Sequence, residues 1–347
     1  MFKRILVCGA GAIGGTIAAF LARAGHPVMV VDLVADHVAK IREEGLAITG
    51  PVADFSARMD AVTPADLTGE FDLVLLAVKA HHTRSAVEAT RPHLATDGTL
   101  VSVQNGLNEY LIASLVGAQR TLGCFVHFGA DYERPGRIAY HIRMPMMLGE
   151  LDGRVTERLR AVHAVLRDFE PDAGMTDNIF GFLWSKLVFS AMMIVQALVE
   201  VPTQEFLDDP RYRPLIRRIA SEVARVAAAQ NVRLMPFQGF EAAAFLSGDD
   251  AAMDAAITDY ADRRRGSNKV FMGVYRDLFI RHRQTEVVPW YAPVLELART
   301  HGIAVPALAT GVSAIEAMES ERTPLRGDLA AKVDALLGDA VPVKPVS

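Results

Sequence analysis

Met1-Phe-Lys-Arg-Ile5-Leu-Val-Cys8-Gly9-Ala10-Gly11-Ala12-Ile13-Gly14-Gly15 opens the chain, and its reading decides the fold. Ile5 to Cys8 is an apolar strand, and the run from Thr16 to Ala24 reads as a helix. The glycines between them follow the pattern GxGxxG. Gly9 permits the tight turn out of the strand, Gly11 lets the backbone approach a pyrophosphate, and Gly14 lets helix and strand pack closely. Ala10, Ala12 and Ile13 complete the turn, whose amides and helix N-terminus favour phosphate. A glycine turn that binds nothing is the plainer alternative. The order strand, glycines, helix and second strand (Pro27 to Val31) argues for a dinucleotide.

That second strand stops at Asp32, about where an acidic side chain meets the adenosine ribose. A carboxylate accepts hydrogen bonds from the ribose hydroxyls and repels a 2′-phosphate, and no Arg or Lys follows in Leu33-Val-Ala-Asp36. NAD is therefore the expected cofactor, with NADP left open. Asp32 as a mere cap of the next helix is the competing reading.

The 347 residues suffice for two domains with separate cores. A net charge of −5, with basic residues scattered among acids, argues against nucleic acid or an anionic membrane as partner. Cys8 and Cys124 lie in apolar strand-like runs and read as buried thiols in a reducing compartment. His81 and His82 are adjacent without a matching carboxylate pattern, so no metal site is expected. Lys3-Arg4 before an apolar run imitates a signal peptide, but strand, turn and helix account for these residues. Leu187 to Val201 holds Ser190, Gln196 and Glu200 and reads as too short to cross a bilayer. A cytoplasmic protein is expected.

Beyond Asp32 the pattern alternates. A helix (Asp36 to Glu44) is followed by short strands (Leu46 to Ile48, Asp54 to Met59), and then by the almost wholly apolar Phe71 to Val78, the kind of strand buried in a parallel sheet. A helix (His82 to Arg91), a strand (Gly98 to Val103) and a helix (Asn108 to Ser114) come next. Strands at Thr121 to Phe128, Arg137 to His141 and Met146 to Leu148 are expected to extend the same sheet, before a helix from Arg154 to Phe169. This predicts a Rossmann-type, doubly wound α/β domain over 1–177. Helical patterns then dominate, predicting an all-α domain over 178–322 and, over 323–347, a C-terminal helix with a loose tail. The long apolar helices point to a homodimer as a candidate assembly.

Ligands bind beyond the carboxyl ends of strands in such sheets. Lys79 ends the Phe71 to Val78 strand and can reach a phosphate or ribose. Asn105, in Gln104-Asn105-Gly106, offers a donor and an acceptor to the nicotinamide end or to substrate. In the helical part, Phe182-Leu-Trp-Ser-Lys186-Leu-Val-Phe-Ser190-Ala-Met-Met-Ile-Val195 is apolar nearly all round, so the helix is buried. An unpartnered buried ammonium is costly, which places Lys186 at a polar cleft, and Ser190 one turn later shares its face. The bland readings are a snorkelling lysine and an ordinary Asn-Gly turn.

Taken in order, Gly9 to Gly15, Ala77-Val-Lys79, Gln104-Asn105-Gly106, Trp184-Ser-Lys186, Arg283-Gln-Thr285-Glu286 and Ala298 to Pro306 resemble the ketopantoate reductases over roughly residues 1–320. The resemblance implies Lys186 as the catalytic lysine and general acid, Glu286 as the active-site glutamate, and Lys79 and Asn105 as residues lining the cofactor and substrate cleft. It departs where the family usually carries asparagines after the lysine, here Ser190 and Ile194. Asp277 to Glu286 is one residue longer than the common pattern, and the family's substrate serine has no match near Gly273.

The implied reaction is metal-free hydride transfer from the nicotinamide to C2 of a 2-oxo acid. A lysine of ordinary pKa, ~10.4, stabilises and protonates the carbonyl oxygen. Lys186, Ser190 and Asn105 are the expected substrate contacts. Ketopantoate is the first substrate by resemblance. Another branched 2-oxo acid, turned over by an NAD-linked D-2-hydroxy acid dehydrogenase of the D-mandelate type, is the second; Asp32, Ser190 and Ile194 lean that way. A β-hydroxyacid or polyol-phosphate dehydrogenase, and a nucleotide-binding protein without turnover, remain as other classes.

Overall fold

The computed structural model describes residues 2–266, 269–321 and 335–336. The helix and tail expected over 323–347 lie outside these residues, apart from 335–336. The chain divides into two compact units, one ending at Ile179 and the other beginning at Phe180.

The first unit runs β1 (Ile5–Cys8), α1 (Ala12–Arg23), β2 (Val28–Val31), α2 (Ala35–Glu44), β3 (Leu46–Thr49), β4 (Phe55–Ala57), β5 (Asp60–Val62), β6 (Phe71–Leu76) and α3 (Thr83–Thr90). It continues through β7 (Leu94–Ser102), α4 (Asn108–Val116), β8 (Thr121–Phe125), β9 (Gly129–Arg134), β10 (Arg137–Ile142), β11 (Met147–Glu150), α5 (Glu157–Leu166) and β12 (Gly174–Met175). The main sheet has eight strands in the order β12-β11-β8-β7-β6-β1-β2-β5. All neighbours are parallel except β11 against β8. Alternate residues feed two cores: Ile5, Val7, Leu73, Leu75 and Val101 lie in one, and Leu6, Cys8, Val74, Leu76 and Leu100 in the other. Burial on both faces is why these strands read as unbroken apolar runs.

One expectation fails here. The strand expected at Arg137 to His141 does not extend the main sheet. As β10 it pairs with β9 antiparallel and β3 parallel in a second sheet, β4-β3-β10-β9. This small sheet packs against α1, and a side chain at Gly15 would collide with Ile138. Helix α1 thus has a sheet on each side, which accounts for its apolar residues all round. Alternation along a strand reports which faces are buried, not which strand lies alongside.

The second unit is helical. It comprises α6 (Ile179–Val199), α7 (Thr203–Asp208), α8 (Arg213–Ala229), α9 (Asp250–Arg264), the single turn α10 (Gly273–Tyr275), α11 (Val287–Thr300) and α12 (Pro306–Glu321). Helix α6 has 21 residues, long and apolar enough to span a bilayer, so the expectation that this stretch is too short is wrong. Its burial decides the matter: 83% of the apolar window is buried within the structure, making it a core helix. A π-helical turn, Arg276–Ile280, follows α10.

Candidate functional site

Gly9 has φ +94°, and a Cβ there would come within 3.0 Å of the Ala77 and Val78 backbone. Only glycine suits that position. A side chain at Gly14 would collide with the Gly9 carbonyl and Ala77, so this glycine sets the approach of α1 to the strands. A Cβ at Gly11 would meet nothing within 4 Å. Gly11 is also the N-cap of α1, and no side chain caps the helix. Uncapped amides over an open glycine fit a pyrophosphate.

Asp32 follows β2 and accepts hydrogen bonds from Ala10 N (2.8 Å, Oδ2) and Val34 N (2.9 Å, Oδ1). It is not the helix cap: Val34 holds the N-cap position of α2. A carboxylate offers about four acceptor sites, so lone pairs remain for ribose hydroxyls. His37, buried in the first turn of α2, is a feature that sequence reasoning missed. Gly136 N donates to its Nδ1 (2.9 Å), and its Nε2 pairs with Ala10 O (2.8 Å). The ring is therefore neutral with its proton on Nε2, and it ties the glycine turn to the β9–β10 hairpin. No short motif signals a bridge between residues so far apart in the chain.

Lys79 and Asn105 lie beyond β6 and β7, neighbouring strands of the sheet, and both are half-buried. The Cys8 thiol is pushed up to about 12 by burial and then by Asp32, which leaves it an inert core group.

In the second unit, Lys186 and Ser190 are the only residues between Gly181 and Ala197 that escape full burial. Four residues apart, they occupy one face of α6. Ile194, expected one turn further along the site, is fully buried, and a side chain at Gly311 of α12 would come within 2.9 Å of its Cγ2. It is a packing residue between α6 and α12.

Glu286, half-buried, holds the N-cap position of α11. Two ties fix its surroundings. Tyr291 of α11, fully buried, donates from its hydroxyl to Leu187 O of α6 (2.7 Å), joining the helix that Glu286 caps to the one bearing Lys186. Glu319 of α12 accepts from Thr285 N (2.9 Å) and Thr285 Oγ1, and Thr285 Oγ1 accepts from Val287 N (3.1 Å). In the π-turn, Asp277 is buried and pairs with Arg281 (2.9 Å) and Arg283 (2.8 Å). A Cβ built at Gly273 would meet nothing within 4 Å.

A GxGxxG turn between strand and helix, on a doubly wound sheet followed by a helical unit, is the build of an NAD(P)-dependent oxidoreductase. The model of ketopantoate reductase PanE/ApbA matches residues 5–153, and that of its C-terminal domain matches residues 178–319. The chain belongs to the ketopantoate reductase family. The 2-dehydropantoate 2-reductase of Halobacterium salinarum is 27% identical over 311 residues, 88% of this chain and 96% of that protein. The crystal structure of 2-dehydropantoate 2-reductase from Geobacter metallireducens superposes with a TM-score of 0.77 at 26% identity, covering 90% of this chain and 99% of that one. D-mandelate dehydrogenase in complex with NADH has a TM-score of 0.78 at 21% identity over 92% and 100% of the two chains, a likeness of fold.

Proposed function

We propose that the protein reduces the C2 carbonyl of a 2-oxo acid to a 2-hydroxy acid with NADH as the preferred cofactor and ketopantoate as the first substrate. The observation that carries this reading is the half-buried Lys186–Ser190 face on an otherwise buried α6. An ammonium there has one chemical use in this family's reaction: it stabilises the negative charge growing on the carbonyl oxygen and delivers the proton. Bound NADH supplies the hydride. Asp32 holds the adenosine ribose, the amides after Gly11 hold the pyrophosphate, and Lys79 and Asn105 address the nicotinamide half. Glu286 orients Lys186 or binds a substrate hydroxyl, and Ser190 contacts the substrate.

The second substrate reading, another branched 2-oxo acid, is favoured by Asp32, Ser190 and Ile194. A hydroxyl and an aliphatic chain stand where the family usually carries amides, which removes hydrogen bonds that would select ketopantoate; a site without them discriminates weakly. The test is an NADH-oxidation screen of ketopantoate against other branched and aryl 2-oxo acids, repeated with NADPH. Turnover of at least one acid is expected, with kcat of Lys186→Ala lowered about 10²-fold or more at nearly unchanged NADH affinity. Near-normal kcat in that variant would remove Lys186 from the mechanism.

A further inference from the structure

At the carboxyl ends of β6 and β7 three buried polar side chains form a continuous chain of hydrogen bonds. Gln104 Nε2 donates both to Val78 O (2.8 Å) and to Thr83 Oγ1 (2.9 Å). The Thr83 hydroxyl donates onward to Asn108 Oδ1 (2.9 Å), and Asn108 Nδ2 donates to Asn105 O (2.7 Å). Thr83 is 0% exposed, Gln104 4% and Asn108 9%. Each position needs its residue type: a double donor, then a hydroxyl that accepts and donates, then an amide that does the same. The Gln104 amide cannot be turned over, because its oxygen would then face the Val78 carbonyl.

The two ends of this lattice are main-chain carbonyls, and their places are specific. One belongs to the peptide joining Val78 to Lys79. The other belongs to the peptide joining Asn105 to Gly106, where the chain turns at φ +94°. Beyond the net worth of its bonds, about 1 kcal/mol each, the lattice adds geometry. It locks two strand ends together with the first turns of α3 and α4.

We propose that Gln104, Thr83 and Asn108 are positioning residues that fix where the side chains of Lys79 and Asn105 leave the sheet, and so set the nicotinamide half of the cofactor site. This rests on the reading of the first unit as a dinucleotide site.

The test compares wild type, Thr83→Val and Thr83→Ser for equilibrium binding of NADH, followed by its fluorescence, and of ADP-ribose, which lacks the nicotinamide. Measurements are made well below each variant's unfolding midpoint. Valine keeps the shape and breaks the chain; serine restores it. Thr83→Val should weaken NADH about tenfold, the scale of one buried hydrogen bond, while ADP-ribose, held by the glycine turn and Asp32, shifts by less than about threefold. Thr83→Ser should bind NADH as wild type does. A merely structural role would lower the midpoint of Thr83→Val and leave the ratio of the two affinities unchanged, and that result overturns the proposal. Equal weakening of both ligands overturns it too. Wild-type protein that binds ADP-ribose and NADH, with Thr83→Val indifferent, rejects the lattice alone; wild type that binds neither rejects the dinucleotide reading and the lattice with it.

Discussion

Asp32 spends one lone pair on Ala10 N and another on Val34 N, which pins its carboxylate at the end of β2 with acceptor sites to spare. Its charge, more than its shape, should set cofactor choice. Asp32→Asn is expected to lower the NADH-to-NADPH ratio of kcat/KM by about tenfold or more, since repulsion of a 2′-phosphate disappears; an unchanged ratio would place discrimination elsewhere. Glu109, in the first turn of α4, has a different effect. It is 0% exposed, and burial pushes its pKa up to about 8, outweighing the opposite pull of its own backbone amide and of the Ser102 hydroxyl. The folded protein therefore holds this proton more tightly than the unfolded chain. Its stabilising effect is complete below the ordinary value of 4.5 and is lost as the pH rises through about 8. Glu109→Gln should flatten the fall in melting temperature over that range; an equally steep fall would mean that other groups cause it. Asp32, Lys79, Asn105 and Lys186 were legible in the sequence because each stands at a local landmark: a strand end, a turn, or a charge on an apolar helix. His37, Glu319 and Tyr291 were not, because their partners lie 27 to 104 residues away.

Helices α6, α11 and α12 are joined around Glu286 by the Tyr291 and Glu319 bonds. Tyr291→Phe should lower stability by about 1 kcal/mol, one buried hydrogen bond, read from chemical denaturation. Glu319→Ala should reduce kcat/KM for the 2-oxo acid while NADH affinity holds, and Glu319→Gln, which keeps an acceptor for Thr285 N, should recover most of it. If both variants behave as wild type, the Thr285–Glu319 bond does not place Glu286. The parallel strands and the helices between them were readable from period and composition. The second sheet was not, because β9 and β10 look like any short strands until β3 is found beside them. Nor was the π-turn at Arg276–Ile280, because no short pattern signals the pairing of Asp277 with Arg281 and Arg283.

Ligand-linked stability is a direct readout at the scale of the whole molecule. Saturating NADH, at about 100 times its Kd, should stabilise the folded state by about 2.7 kcal/mol, and NADPH at the same concentration should raise the melting temperature less. A larger shift with NADPH would reverse the cofactor assignment. Helix α6 carries a separate consequence, for biogenesis. It leaves the ribosome before the rest of the helical unit that covers it, and at about 5–20 residues per second the chain up to Glu321 takes roughly ten seconds more to emerge. For that interval a nascent chain displays a segment resembling a membrane anchor. Yield should therefore depend on chaperone supply during synthesis, even for a protein whose finished form hides the segment.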